Sequence, residues 1–328
     1  MSKPILVTGA AGFIGFHTSL RLLNEGESVV GIDNLNDYYD VTLKEARLEI
    51  LEKHKNFTFV KLDISERADM DALWAEQGPF TRVVHLAAQA GVRYSLENPY
   101  AYIQSNIVGH LNIIEMCRHT DNFEHLVYAS SSSVYGGNEK LPFSVQDRVD
   151  NPISMYAATK KSDELMSHAY SHLFRIPQTG LRFFTVYGPW GRPDMALFIF
   201  TKAICEGKKL PVFNNGKMKR DFTYIDDIVS GVVATLRHPP AEKAGKPPQR
   251  VLNIGNTKSE DLMDFVGLIE KELGKKADID FQPMQAGDVR ETYADVSETT
   301  EITGYKPTTS IREGVPKFIE WYKEYYKV

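Results

Sequence analysis

Residues 4–15, Pro4-Ile5-Leu6-Val7-Thr8-Gly9-Ala10-Ala11-Gly12-Phe13-Ile14-Gly15, decide the fold: an apolar run ends in a glycine-rich turn, and a helical pattern follows over residues 16–23. Strand, glycine turn and helix in that order form the opening of a dinucleotide site. Gly9 permits the turn, Gly12 lets backbone approach a pyrophosphate, and Gly15 lets the helix pack closely on the strand. The amino end of the helix then faces the phosphates, and Phe13 and Ile14 of the turn are expected to bind the cofactor with the glycines. Glycine spacing alone is a weak signal, and its position between strand and helix strengthens it. A second apolar strand, residues 28–32, ends in Asp33. An acid there can accept hydrogen bonds from an adenosine ribose and would repel a 2′-phosphate, so the expected cofactor is NAD rather than NADP.

Working outward, strands at residues 57–62, 83–86, 126–128 and 179–183 alternate with helical patterns at 42–54, 68–77, 100–119 and 155–174. This alternation predicts an α/β fold, a doubly wound parallel sheet of the Rossmann type with helices on both faces. Ligands of such sheets collect at the carboxyl ends of the strands. Small and polar residues gather at those ends: Asp33, Asp63, Ala87-Ala88-Gln89, Ser130 to Ser133, and Thr185. The pattern loosens after Gly188, where helices at 197–206, 225–236, 261–273 and 311–326 alternate irregularly with short strands at 210–213 and 251–254. We expect an NAD-binding domain over residues 1–184 and a smaller α/β substrate lobe over 185–328, with chain crossings between them.

The chain of 328 residues is long enough to bury a large core. Net charge is −5 with both signs scattered, which points to neither nucleic acid nor an anionic membrane. Cys117 and Cys205 lie far apart without metal-type neighbours and read as buried thiols in a reducing compartment. No metal site is expected. Neither a signal peptide nor a run of 18 apolar residues is found, so the expectation is a soluble, cytoplasmic protein. A lysine-rich segment between Pro239-Pro240 and Pro247-Pro248 reads as a solvated loop.

Tyr156-Ala157-Ala158-Thr159-Lys160 sets a tyrosine and a lysine one helical turn apart on one face. A phenol with reference pKa near 10 is a poor base at neutral pH, but an ammonium group and a cationic nicotinamide nearby both favour phenolate. Ser130-Ser131-Ser132-Ser133 follows the fifth strand; its hydroxyls either hydrogen-bond a substrate oxygen and pass its proton, or satisfy their own backbone. No histidine or carboxylate stands where it would make a serine nucleophile, which argues against acyl transfer.

GAAGFIG, Asp33, Asp63-Ile64, HLAAQAGV, SSSSVYG, YAATK, LRFFTVYGP, RDFTYIDD and QAGDV follow one another along essentially the whole chain. In this series the chain resembles the extended short-chain dehydrogenase/reductase family of nucleotide-sugar enzymes. The resemblance implies that Asp63 and Ile64 sit by the adenine and that Ala87, Ala88 and Gln89 line the NAD groove. Lys160 would bind the nicotinamide ribose, Tyr156 would accept the proton, and Ser131 would share its path. It further implies a UDP-sugar site of Thr185, Val212 and Phe213 near uracil, Arg220 on the diphosphate, and Gln285 with Asp288; Gln285 stands where relatives acting on neutral sugars often carry arginine. Family resemblance also implies a homodimer through the helices at 100–119 and 155–174.

Relatives that dehydrate or decarboxylate usually carry an acid just after the active-site hydroxyl, where this chain has Ser132-Ser133. The resemblance therefore implies 4-epimerisation of a UDP-sugar. Arg93 and Arg192 lie just beyond the fourth and sixth strands, and a guanidinium suits a carboxylate; a loop anchor and a surface ion pair are their plainer readings. NDYYD, AGVRYSLENP and YGPWGRPDMA resemble the branch that interconverts UDP-glucuronate and UDP-galacturonate. In that reading Arg192, Thr185, Ser132 and Ser133 hold the sugar carboxylate, with Arg93 a weaker candidate. The competing readings are an epimerase of UDP-glucose or UDP-N-acetylglucosamine, a UDP-glucuronate decarboxylase, and a non-catalytic NAD-binding protein.

Overall fold

Strands β1 (Ile5–Thr8) and β2 (Val29–Asp33) are buried at every residue, as a strand covered on both faces must be. The computed structural model describes residues 3–243, 245–284 and 289–328. After β1 come α1 (Phe13–Asn24), β2, α2 (Val41–Leu51), β3 (Phe57–Lys61), α3 (Arg67–Gln77) and β4 (Arg82–His85). Short helices α4 (Tyr94–Glu97) and α5 (Pro99–Tyr102), one wide π segment (Ile103–Val108) and α6 (Gly109–Arg118) lead to β5 (His125–Ser131), α7 (Met155–Phe174) and β6 (Gln178–Phe183).

Seven strands form one parallel sheet in the order β11-β6-β5-β4-β1-β2-β3, where β11 is Gln249–Ile254. Chain order reverses between β1 and β4, which opens a crevice at their carboxyl ends. One feature departs from the sequence expectation and one specifies it. The stretch 100–119 is not one regular helix: the π segment inserts a wide turn that carries Asn106 inward. The expected crossing between the lobes is made by β11, which returns from beyond residue 184 to pair in register with β6.

The remaining chain builds β7 (Thr185–Tyr187), α8 (Ala196–Cys205), β8 (Lys209–Val212), β9 (Lys219–Arg220), β10 (Phe222–Tyr224), α9 (Ile225–Leu236), β12 (Glu260–Asp261), α10 (Leu262–Leu273), β13 (Asp278–Phe281), α11 (Ser297–Thr303) and α12 (Ile311–Tyr326). Its strands pair two by two, β7 with β10, β8 with β13 and β9 with β12. Phe222 stacks on Phe265 at 4.0 Å between β10 and α10, and Ser310 and Glu313 form a capping box at the start of α12. Among the described residues no helix is long and apolar enough to cross a membrane, and no group of three His, Cys, Asp or Glu residues is placed to hold a metal ion.

Candidate active site

A cleft of about 790 Å³ lies at the carboxyl ends of the sheet strands and extends over the smaller strand pairs. At its deep end the glycine turn is tight: the Gly12 amide donates to the Gly9 carbonyl at 2.9 Å, and Gly9 takes φ +71°. A Cβ on Gly9 would fall 2.9 Å from the Ala87 nitrogen, and one on Gly15 would fall 2.0 Å from the Gly9 carbonyl oxygen. Helix α1 starts at Gly12 with no side-chain cap and no acid in its first turn, so its amide protons keep their affinity for an anion. Phe13 and Ile14 line the same wall.

Asp33 ends β2 in the cleft, accepts from the Leu35 amide at 2.9 Å, and has the Lys44 ammonium 3.8 Å away. Asp63 lines the cleft beside Ile64; burial would raise its pKa, but bonds from Ser65 and from Asn34 at 2.8 Å hold it below the usual carboxylate range. Ala87, Ala88 and Gln89 form the opposite wall. The Thr8 hydroxyl anchors it by accepting from the Ala87 amide at 3.0 Å. The Gln89 amide donates to Asn106 Oδ1 at 2.8 Å, and Asn106 Nδ2 donates back to the Gln89 carbonyl at 3.1 Å and to Thr159 at 3.0 Å. The π segment thus ties the cofactor wall to the helix that carries Tyr156.

Tyr156 and Lys160 enter the cleft from the first turns of α7, whose start is capped by Ser154 accepting from the Ala157 amide at 3.1 Å. Lys160 is buried and paired with Asp163 at 3.1 Å. Burial lifts Asp163 to about 7 against the pull of that lysine. One turn on, Glu164 holds Arg182 of β6 through two bonds of 2.8 and 2.9 Å and accepts from Ser130 at 2.7 Å, which fixes α7 against the sheet. Ser130 is thereby structural. Ser131 lines the cleft and accepts from the Ser133 amide at 3.1 Å and its hydroxyl at 2.9 Å. Ser132 and Ser133 line the cleft as well.

On the other side stand Thr185, Arg192, Phe213 and Arg220. Arg220 donates to the carbonyls of Lys219 and Arg290 at 2.9 and 3.2 Å. Val212 does not line the cleft: its side chain is fully buried. Alternation along β8 sends Leu210 and Val212 into the core and Pro211 to the cleft. Gln285 and Asp288 lie outside the described residues. Arg93 is exposed and rests on the Phe213 ring at 4.9 Å, bridging the two walls. Arg192 is in the cleft, but its guanidinium already grips Asp194, Nε to Oδ1 at 3.0 Å and Nη2 to Oδ2 at 2.5 Å.

Residues 5–255 match the model of the "NAD dependent epimerase/dehydratase family". The chain belongs to this family. Among its relatives are a "Probable UDP-glucuronate 4-epimerase" of Rhizobium meliloti, 48% identical over 98% of this chain and 97% of that protein, and "Protein CapI" of Staphylococcus aureus, 52% identical over 98% and 99%. A crystal structure of the UDP-glucuronic acid 4-epimerase from Bacillus cereus, in complex with UDP-glucuronic acid and NAD, is 37% identical and superposes with a TM-score of 0.89 over 98% of this chain and all of that one.

The residues of this epimerase/dehydratase fold fit NAD. Glycines whose missing Cβ atoms leave a cradle, an uncapped helix start above it, and an acid at the end of β2 are what a dinucleotide needs. Several contributors carried no usable sequence signal. Lys44 and Arg47 sit on an ordinary charged helix, yet Lys44 is turned in toward Asp33, and Arg47 is fully buried, donating to the carbonyls of Ala11 at 2.8 Å and Trp190 at 2.6 Å. Tyr38 and Asp194 lie within the quoted strings NDYYD and YGPWGRPDMA, but only folding brings them together.

Proposed function

We propose that the protein is a UDP-glucuronate 4-epimerase, interconverting UDP-glucuronate and UDP-galacturonate. The observation that carries this reading is a single cleft that combines the NAD cradle, Tyr156 with Lys160 and Ser131, and an arginine among small hydroxyl residues. NAD, held by the glycine turn and Asp33, would supply a reversible hydride acceptor for sugar C4. Tyr156 removes the proton of the 4-hydroxyl and gives it back, Lys160 holds the nicotinamide ribose beside it, and Ser131 shares the proton path. Gly9, Gly12, Phe13, Ile14 and Gly15 take the pyrophosphate, Asp33 the adenosine ribose, Asp63 and Ile64 the adenine, and Ala87, Ala88 and Gln89 the groove between. Phe213 and Arg220 hold the uridine diphosphate while the 4-keto sugar turns its other face to the ring.

The 4-keto sugar is a β-keto acid and loses CO₂ when its C5–carboxylate bond aligns with the carbonyl π system. Ser132, Ser133, Thr185 and Arg192 keep the carboxylate out of that alignment by oriented hydrogen bonds. The division into an NAD domain (1–184) and a UDP-sugar lobe (185–328), a homodimer, and a cytoplasmic setting for the free thiols Cys117 and Cys205 belong to the same reading.

Incubation with UDP-glucuronate, UDP-glucose and UDP-N-acetylglucosamine, followed by product separation, tests it. UDP-galacturonate should form, and Tyr156→Phe should keep NAD while losing at least ~10³-fold in turnover, a general-base effect of ordinary size. Conversion of neutral UDP-sugars alone would refute the substrate, and normal turnover of the Tyr156 variant would refute the base.

A further inference from the structure

Among the described residues Asp194 is the one carboxylate set directly on Arg192, and it is held from two sides. Arg192 gives it the Nε and Nη2 protons of one edge, at 3.0 and 2.5 Å, and the Tyr38 hydroxyl donates to its Oδ2 at 3.0 Å. Burial and Asp194 push the Tyr38 phenol up to about 12, so it stays a donor at any working pH. All three residues line the cleft. The Tyr38 ring rests on Tyr94 at 4.9 Å, Tyr94 lies 6.2 Å from Tyr102, and Tyr102 meets Tyr156 edge-on at 6.0 Å. A row of rings therefore runs from Asp194 to the catalytic phenol, drawn from the loop after β2 and from α4, α5 and α7. Tyr102 is itself fixed by donating to the carbonyls of Ala90 and Gly91.

A guanidinium is planar, and a carboxylate bound through two parallel bonds sets the orientation of that plane. With the Nε edge occupied, a second carboxylate is met by the remaining end, Nη1 with the outer Nη2 proton. We propose that Asp194, steadied by Tyr38, is a positioning residue: it fixes the plane of the Arg192 guanidinium and thereby the angle at which a sugar carboxylate is held. This rests on the reading of the protein as a UDP-glucuronate 4-epimerase and deepens it. Asp194 also competes for the same cation, so it lowers affinity for a carboxylate substrate while setting its geometry.

When the restraint fails, the C5–carboxylate electron pair moves toward the C4 carbonyl, CO₂ departs, and the resulting enolate takes a proton from solvent at C5. A 4-keto pentose remains, and the two electrons removed from C4 stay on the cofactor. Asp194→Ala is expected to raise the ratio of CO₂ to UDP-galacturonate at least tenfold, with KM for UDP-glucuronate unchanged or lower. Asp194→Asn and Tyr38→Phe should shift the ratio the same way by smaller factors. A purely structural role would lower Tm, raise KM and leave the partition untouched.

The experiment measures ¹⁴CO₂ from carboxyl-labelled UDP-glucuronate beside UDP-galacturonate, for wild type and the three variants, with Tm and retained NAD as folding controls. Should the alanine variant fail to keep NAD, the asparagine and phenylalanine variants carry the comparison. Wild-type partition in the folded variants, or a tenfold rise in KM without CO₂, overturns the role of Asp194. If wild type itself yields no UDP-galacturonate, it is the epimerase reading that falls.

Discussion

A methyl group on Gly15 would lie 2.0 Å from the Gly9 carbonyl oxygen, well inside contact distance and against backbone that cannot swing away. Gly15→Ala should therefore force α1 off β1, destabilising the fold by about 1–3 kcal/mol, as overpacking does, and releasing NAD. Tm together with cofactor retained through purification measures this; a variant with wild-type values of both would remove the close-packing role. Val212 teaches the opposite lesson at the same scale. A strand residue and its neighbour face opposite sides, so adjacent motif residues cannot both reach one ligand through their side chains, and the structure gives the cleft Pro211 and Phe213 instead.

Helix α7 is built against the usual polarity. It buries Thr159, Lys160, Asp163, Glu164, Ser167 and Ser171, and it leaves Leu165 and Leu173 59% and 65% exposed. Its polar face is occupied by the Lys160–Asp163 pair, the Glu164–Arg182 pair and the Ser167–His110 bond of 2.9 Å. Apolar residues are thereby displaced outward, alongside Tyr100, 84% exposed, and Ile103 on the neighbouring helical stretch. Large apolar side chains left exposed on neighbouring helical segments suit an interaction surface, and the proposed homodimer would cover them. Leu165→Glu with Leu173→Glu is expected to shift the protein to monomer in light scattering; an unchanged assembly state would place the interface elsewhere.

Across the whole molecule, buried histidines couple stability to pH. Burial lowers His17 to about 4 and His110 and His125 to about 3, far below the free value. His125 donates Nδ1–H to the Leu236 carbonyl at 3.1 Å, which leaves Nε2 of the neutral ring to accept from the Thr179 hydroxyl at 2.9 Å, a role the protonated ring would lose. A depressed folded-state pKa contributes stability in full above ~6.5 and loses it as pH falls toward the folded value, because the unfolded chain then binds the extra proton. Asp163, lifted to about 7, has the opposite sign. A difference measurement therefore isolates the histidine: the Tm advantage of wild type over His125→Gln should shrink steadily from pH 6.5 to pH 4. A constant gap would mean that His125 is not held neutral.

From the amino-acid order alone came the parallel sheet, its glycine turn, Asp33, Tyr156, Lys160 and the serine cluster, because each depends on neighbours within one strand–turn–helix unit. Local periodicity and turn chemistry set such units before any distant contact forms. The return of β11 to the large sheet, the π segment that turns Asn106 inward, and Arg47 beneath the Trp190 carbonyl depend on contacts between segments far apart in the chain. So does the hold of Tyr38 on Asp194, residues 156 positions apart, although Asp194 itself lies only two positions from the arginine it grips. An arginine in a loop reads the same whether it faces solvent, a substrate or a carboxylate of its own chain. Arg192 has its acid two positions on, and only the packed structure shows that the two pair edge-on and that Tyr38 steadies the acid, which decides which edge of the guanidinium is left to bind.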